Sequence, residues 1–291
     1  MGTIPLEQAD PHSRRVRAMC GTDAAELTEE QIRNARRAYA AATSYVDAKF
    51  GMLLAALDAA GLVDDTIIVF CSDHGDMLGE RGLWYKMTFF EDSARAPLLV
   101  HAPDRLPAAR VRETVSLVDL VPTLLELARP GEPPAAPDPL DGESLLRLLE
   151  DGASPSERTV VSEYLGEGAY SPCVMLSRGS FKYVHCPDDP DQLYDLGTDP
   201  DELVNLAADR PEIVAEFAAD VGRRWDLAAL REQVIASQTR RFVIARAFAR
   251  GAPTVWDYVP PGDAGDRYVR GADFWAPFAR ARLRPRRDRS P

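Results

Sequence analysis

A short apolar run that ends in polar residues limits the possible folds of this chain more than any other stretch does. Thr66 to Cys71 carries β-branched and aromatic side chains and no charge, which is typical of a strand buried on both faces of a sheet. We therefore expect Cys71 to be buried. Asp73 and His74 follow at once, and Gly75 gives the backbone freedom to turn. We expect an α/β fold, and in open α/β sheets ligands bind at the carboxyl ends of the strands. The end of this strand is therefore the expected ligand-binding site.

The residues after this strand predict a site for an oxyanion ester. Asp73 and His74 offer a carboxylate oxygen and an imidazole nitrogen to one divalent cation. Lys86 follows in the same loop region and offers a point charge that can neutralise a sulfate or phosphate oxygen. An alternative for the Asp-His pair alone is a turn capped by the aspartate side chain, without a metal.

The wider pattern resembles the C-terminal half of type I sulfatases, within the alkaline phosphatase superfamily, and is most similar to their choline sulfatase branch. The likeness is carried by Asp73-His74-Gly75-Asp76, Leu78-Gly79-Glu80, Trp84 to Met87, Phe89 to Glu91, Arg95, Pro97-Leu98, Asp119 to Leu125 and Trp256-Asp257-Tyr258. The resemblance implies that Asp73 and His74 bind a metal ion and that Lys86 binds sulfate. It implies calcium as the metal, while an imidazole ligand would also suit manganese.

The resemblance also implies a nucleophile that this sequence does not contain. Type I sulfatases use a formylglycine made from the cysteine or serine of a Cys/Ser-x-Pro-x-Arg motif, and no cysteine or serine here begins such a motif. We therefore expect the formylglycine in an upstream part. Three explanations stay open: a start assigned too late, a fragment of a longer protein, or a remnant that has lost catalysis.

The C-terminal tail suggests the substrate. It contains the aromatic residues Trp256, Tyr258, Tyr268, Phe274 and Trp275. Such a cluster can hold a quaternary ammonium group by cation–π attraction. The resemblance to choline sulfatases includes this tail and implies that choline O-sulfate is hydrolysed to choline and sulfate. Glu163 and Asp273 are the residues expected to contact the choline cation. The tail could instead be a docking arm that covers a neighbouring subunit.

Two other functions stay open from the sequence. The first is hydrolysis of phosphonate monoesters or phosphodiesters, since enzymes of the same superfamily share the Asp-His-Gly signature. The second is a non-catalytic remnant or oligomerisation module, which the missing nucleophile motif favours. The aromatic tail distinguishes choline sulfate hydrolysis from the first of these alternatives, because phosphonate hydrolysis does not require quaternary ammonium recognition.

Composition narrows the partners and the compartment. The net charge of −12 argues against nucleic acid as a partner. No apolar run approaches the ~20 residues of a membrane span, and the first residues lack a signal-peptide core, so we expect a cytoplasmic protein without membrane contact. The four cysteines are too few and too scattered for a disulfide framework, and we expect free thiols.

The expected architecture has three parts. Residues 1–150 form the C-terminal part of a sulfatase-like α/β core, 151–236 a small antiparallel-sheet subdomain with a helix, and 237–291 an extension of the choline sulfatase type. We expect the extension to mediate homo-oligomer formation. Since residues 66–71 and 97–101 would lack neighbouring strands of the core, we also expect the chain to need a partner or to self-associate.

Local signals predict the individual elements. A capping box at Thr28 starts a long amphipathic helix that ends near Gly61. Residues 1–27 show no convincing periodicity, and His12 is expected in a solvated loop. The remaining expectations are an extended piece at 111–118, a helix after Asp119 to about 128, strands at 159–164, 173–177, 181–185 and 192–196, a purely structural turn at 199–206, and one helix over 211–235.

Overall fold

The computed structural model describes residues 4, 6–23, 27–102, 104–129, 131, 138–151, 158–166, 168–169 and 171–251. The helices are α1 (Pro11–Cys20), α2 (Glu29–Ala59), α3 (Glu91–Ala94), α4 (Leu120–Ala128), α5 (Leu146–Asp151), α6 (Pro211–Arg224) and α7 (Leu227–Phe248). The strands are β1 (Ile68–Cys71), β2 (Met77–Leu78), β3 (Trp84–Tyr85), β4 (Leu98–His101), β5 (Thr159–Tyr164), β6 (Cys173–Arg178), β7 (Phe181–His185) and β8 (Gln192–Asp195). None of the helices among these residues is long and apolar enough to cross a membrane.

Helix α1 was not predicted, and it contradicts the solvated loop expected around His12. Asp10 caps its start through the Ser13 amide, Pro11 occupies the first turn, and Gly21 ends it with a φ of 69°. The end signals were therefore present in the sequence, but the helix is too short for its apolar period to stand out. Val16 is almost fully buried in the cluster that fixes α1 in place.

Helix α2 confirms the predicted amphipathic helix. Thr28 and Gln31 form the capping box, and Gly61 follows the last turn with a φ of 66°. No side chain of α2 is buried in the described structure, although its predicted apolar face carries Val46 at 52% and Leu53 at 58% exposure. The face that the sequence predicts to pack against a core is therefore largely uncovered.

Strands β1 and β4 pair antiparallel with each other, with Ile68 opposite His101 and Cys71 opposite Leu98. The expectation that β1 is buried on both faces is wrong for the described structure, because this sheet has only two strands there. Cys71 is exposed rather than buried. The Phe50 ring of α2 packs on the Phe70 ring with their centroids 5.1 Å apart.

Strands β5 to β8 form a four-stranded antiparallel sheet in chain order, which confirms the strands predicted between residues 159 and 196. The core between this sheet and α6 is built from Val174, Leu176, Tyr183, Leu193, Phe217 and Val221. Glycine, proline and aspartate turns separate these strands, and such turns are local signals that the sequence shows clearly.

Two further expectations are wrong. The predicted extended piece at 111–118 is not a strand; its end forms a 3-10 turn, Leu117–Asp119, whose Ser116 and Asp119 cap each other. The predicted single helix over 211–235 is two helices, because α6 ends at Arg224 and the Asp226 side chain starts α7 by accepting from the Ala229 amide. Helix α4 after Asp119 agrees with the prediction.

Candidate functional site

Three residues that the sequence singles out lie together beyond the end of β1. The Nε2 atom of His74 is 2.5 Å from Lys86 Nζ and 3.3 Å from Asp73 Oδ2. The Asp73 side chain is 84% exposed, whereas the His74 side chain is 29% exposed. The three side chains thus form a small polar site at the surface, with one carboxylate, one imidazole and one ammonium group.

The turn around His74 selects the tautomer of its ring. His74 Nδ1 is 2.7 Å from the Gly75 carbonyl, so Nδ1 carries the proton that it donates and Nε2 carries a lone pair. Ser72 donates its hydroxyl proton to the His74 carbonyl at 2.9 Å, and Asp73 Oδ1 accepts from the His74 amide at 3.1 Å. These bonds hold the imidazole with Nε2 toward Asp73 and Lys86, as a metal ligand requires.

Lys86 is held by a short hairpin and by unusual backbone conformations. Strands β2 and β3 pair with Met77 opposite Tyr85, which returns the chain to the His74 turn. Tyr85 and Met87, on either side of Lys86, have φ angles of 69° and 84°. Such left-handed conformations each cost on the order of 1–3 kcal/mol for non-glycine residues and cluster at functional sites. The packing around the hairpin therefore imposes the position of Lys86.

Gly75 is required because α3 lies directly on this segment. A Cβ atom at Gly75 would lie 2.2 Å from the Asp92 carbonyl oxygen, well inside van der Waals contact. The Gly75 amide donates to the Ser93 carbonyl at 2.9 Å. The backbones of α3 and of the Asp73–Gly75 segment are thus joined at hydrogen-bond distance.

A buried charge cluster behind α3 is the part of this region that the sequence analysis missed. Lys182 Nζ lies 2.9 Å from Glu202 Oε1 and 2.6 Å from Glu91 Oε1, and the Lys182 side chain is 1% exposed. Burial raises the pKa of Glu202, while the Lys182 charge opposes that rise. The only sequence signal was an isolated lysine within the apolar strand β7.

His12 is buried, so its expected place in a solvated loop is wrong. It is 8% exposed, and its Nε2 atom is 2.7 Å from the Met87 carbonyl, next to Lys86. Its Nδ1 atom has no hydrogen-bond partner among the described residues. Burial lowers the pKa of His12, with a smaller opposing effect of the Met87 carbonyl. Helix α1 thus contacts the loop that carries Lys86.

Of the two residues expected to contact choline, the structure describes only Glu163. Glu163 lies on β5 and accepts a hydrogen bond from Trp225 Nε1 at 2.5 Å, at the junction of α6 and α7. Asp273 and the tail aromatics lie outside the described residues. Recognition of a quaternary ammonium group therefore stays a prediction from the sequence.

Family models match three parts of the chain. A model described as Sulfatase matches residues 6–130, one described as N-sulphoglucosamine sulphohydrolase, C-terminal, matches 79–224, and one described as Choline sulfatase enzyme C terminal matches 232–276. The second of these spans half of the chain. The chain belongs to the sulfatase family.

Two relatives show which sulfatases the chain is similar to. It is 43% identical over 275 residues to a choline-sulfatase of Rhizobium meliloti (strain 1021), a match that covers 93% of this chain and 53% of that protein. It is 38% identical over 177 residues to arylsulfatase K of Danio rerio, covering 58% of this chain and 33% of that protein. The chain thus spans about half of the first relative and a third of the second.

Solved structures confirm the α/β fold class. The phosphonate monoester hydrolase of Agrobacterium radiobacter matches 72% of this chain and 44% of its own, at 30% identity and a TM-score of 0.61. A 2-O GAG sulfatase matches 76% of this chain and 50% of its own, at 27% identity and a TM-score of 0.65. Both likenesses again involve half or less of the other protein.

Sulfatases generally use a divalent metal ion, and the His74 turn fits part of such a site. Two donors that bind one ion at roughly 2.0–2.5 Å lie about 3 Å from each other, which agrees with the 3.3 Å between Asp73 Oδ2 and His74 Nε2. The lone pair on Nε2 is oriented for a cation, and the Lys86 ammonium occupies that direction. In the described part of the chain, no group of three or more His, Cys, Asp or Glu residues is arranged to bind a metal ion.

Proposed function

We propose that this sulfatase chain contributes metal-binding and sulfate-binding residues to the hydrolysis of choline O-sulfate to choline and sulfate. The observation that carries the proposal is the convergence of Asp73, His74 and Lys86 within hydrogen-bond distance at one turn. A carboxylate, an imidazole and a flexible ammonium group suit a divalent cation and a sulfate oxygen bound side by side.

Each residue has a separate task in this proposal. Asp73 and His74 would hold the metal ion, with calcium as the expected ion and manganese also suited to the imidazole. When bound, the ion would withdraw electron density from the sulfate ester. Lys86 would leave His74 Nε2 and neutralise a sulfate oxygen, which reduces charge repulsion as the alcohol departs.

The substrate assignment is supported by the relatives. The choline-sulfatase of Rhizobium meliloti matches 93% of this chain, and the choline sulfatase C-terminal model matches 232–276. We propose that Glu163 and Asp273 contact the choline cation and that 237–291 mediates homo-oligomer formation. The division at residues 150 and 236 and a cytoplasmic location are part of the same proposal.

The nucleophile is not supplied by the residues of this sequence. No Cys/Ser-x-Pro-x-Arg motif is present, so the formylglycine is expected in residues that the relatives carry beyond the matched part. The activity proposed here therefore belongs to an assembly that contains both the nucleophile and the Asp73, His74 and Lys86 site.

A second candidate is hydrolysis of a phosphonate monoester. The structure of a phosphonate monoester hydrolase matches 72% of this chain at 30% identity. The polar site by itself fits either ester, because sulfate and phosphonate esters both present anionic oxygens to a metal and a lysine. The leaving group must therefore be determined by assay.

The test compares this chain with a version extended upstream in its reading frame. Each is assayed with calcium and with manganese on choline O-sulfate, an aryl sulfate and a phosphonate monoester. Lys86→Met in the extended protein should lower kcat/KM by about 10²-fold or more, since a charge-stabilising donor of this kind contributes about that factor. Lys49→Met, at an exposed position of α2, is the matched control and should retain activity.

The outcomes separate the alternatives. Turnover of choline O-sulfate that Lys86→Met abolishes and Lys49→Met retains would support the assignment. Turnover of the phosphonate alone would favour the second candidate. Absence of all turnover in both lengths, together with absence of metal binding, would mean that the chain is a non-catalytic remnant.

A further inference from the structure

The starting observation is a lysine buried in the four-stranded sheet. Lys182 lies on β7, its side chain is 1% exposed, and its ammonium group has three oxygen partners. These are Glu202 Oε1 at 2.9 Å, Glu91 Oε1 at 2.6 Å and the Phe89 carbonyl at 2.8 Å. A fully buried lysine stays charged only when such partners replace its water molecules. The three oxygens therefore solvate the Lys182 ammonium group and make this cluster a specific charge pairing.

Glu202 is held in the cluster by its own backbone. It is 2% exposed and has a φ of 55°, a backbone conformation that residues other than glycine rarely adopt. Its second carboxylate oxygen accepts from the Glu91 amide at 2.6 Å, and its carbonyl accepts from the Arg81 guanidinium. The turn at 199–206 therefore reaches out of the sheet and fixes the first residue of α3.

From α3 the contact continues to the polar site. Helix α3 begins at Glu91, and its Ser93 carbonyl accepts from the Gly75 amide at 2.9 Å. The neighbouring Asp92 carbonyl is so close to Gly75 that a Cβ atom would not fit. Any shift of α3 must consequently move Gly75. The His74 carbonyl moves with it through the peptide bond, and the His74 imidazole moves through its hydrogen bond to the Gly75 carbonyl.

We propose that Glu202 and Lys182 are positioning residues for the Asp73–Gly75 segment: their buried ion pair fixes α3, and α3 fixes the segment through the Gly75 amide. The benefit to metal binding rests on the function proposed above, whereas the contact itself does not. The turn at 199–206, which the sequence analysis treats as purely structural, thereby connects the small sheet with the candidate metal ligands.

The test replaces Glu202 by its neutral isostere. Glu202→Gln keeps the shape of the side chain but removes the negative charge that Lys182 and the Glu91 amide share. Glu216→Gln makes the same chemical change at an exposed position of α6 and is the matched control. The first readout is hydrogen exchange at the Gly75 amide, measured by mass spectrometry with fragmentation to single residues, and compared with the Leu176 amide in β6.

The expected result is local. In Glu202→Gln, Gly75 should exchange about tenfold faster, the factor that corresponds to losing a hydrogen bond to a charged group, while Leu176 is unchanged. The second readout is Mn²⁺ affinity by calorimetry, which should fall about tenfold, as when other supports of metal ligands are removed. Glu216→Gln should change neither quantity.

Several results would decide against the proposal or separate it from the proposed function. Unchanged Gly75 exchange in Glu202→Gln, or an equal acceleration at Gly75 and Leu176, would overturn it. Accelerated exchange at Gly75 without Mn²⁺ binding by the unchanged chain would contradict the metal site and still support the positioning contact. Should Glu202→Gln not fold, Glu91→Gln gives the same test with a smaller expected effect, because the Glu91 side chain is 30% exposed.

Discussion

His12 should make the folded protein lose stability in mild acid. Burial lowers its pKa below the ordinary value of 6.5, and its Nδ1 atom has no hydrogen-bond partner in the described part of the chain. The unfolded chain therefore binds a proton at His12 at a higher pH than the folded chain does. Stability from this group is complete above about pH 6.5 and decreases as the pH falls.

The magnitude follows from proton linkage. One proton taken up only by the unfolded state lowers the free energy of unfolding by up to about 1.4 kcal/mol for each pH unit below the unfolded pKa. Between about pH 7.5 and pH 5.5, His12 should thus account for up to ~1.4 kcal/mol of lost stability. Asp10 and Asp189 weaken the effect because their negative charges favour the protonated ring.

The assay is urea unfolding followed by circular dichroism at the two pH values, for the unchanged chain and for His12→Gln. Glutamine can keep the hydrogen bond to the Met87 carbonyl but does not titrate. The difference in pH dependence between the two proteins isolates His12, since other titrating groups contribute equally to both. Equal pH dependence, or a greater loss of stability in His12→Gln, would refute the assignment of a neutral buried imidazole.

Three further outcomes are expected. Asp119→Asn should lower the free energy of unfolding by about 3 kcal/mol in urea denaturation, because this fully buried carboxylate accepts hydrogen bonds from two amides and from an arginine. A loss below about 1 kcal/mol would contradict that reasoning. Gly75→Ala should lower the free energy of unfolding by about 1–3 kcal/mol and abolish Mn²⁺ binding in calorimetry. Gly222→Ala, where the added methyl group meets nothing, should be neutral or stabilising. Equal effects of the two substitutions would refute the close approach of α3. The chain should self-associate in sedimentation velocity, and Leu53→Lys on the exposed apolar face of α2 should reduce this self-association more than Asn34→Lys does. A monomer at high concentration would contradict the predicted need for a partner.

The parts of the fold that could be predicted are those with local signals. The capping box at Thr28 requires residues only three positions apart, and the strands at 159–196 are separated by turns whose glycine, proline and aspartate residues stand next to the strands that they end. The grouping of Asp73, His74 and Lys86 was also predicted, because they lie in one short stretch of chain and match a family pattern. The structure brings these three side chains together.

The parts that could not be predicted depend on residues far apart in the chain. His12 is buried because α1 packs beside the loop at Met87, and neither segment alone indicates the other. The break between α6 and α7 is another case, since Trp225 turns away to donate to Glu163 on β5. The burial expected for β1 was wrong because burial depends on neighbouring layers, and apolar composition by itself does not supply them.

Short patterns of residue types are enough to predict the family, the order of most elements and the residues of the polar site. The buried pair of Lys182 and Glu202, which fixes α3 against Gly75, becomes visible only when the chain is folded. From the sequence alone, a charged residue is predicted to be exposed unless its partner is known. Packing between distant segments brings that partner to it.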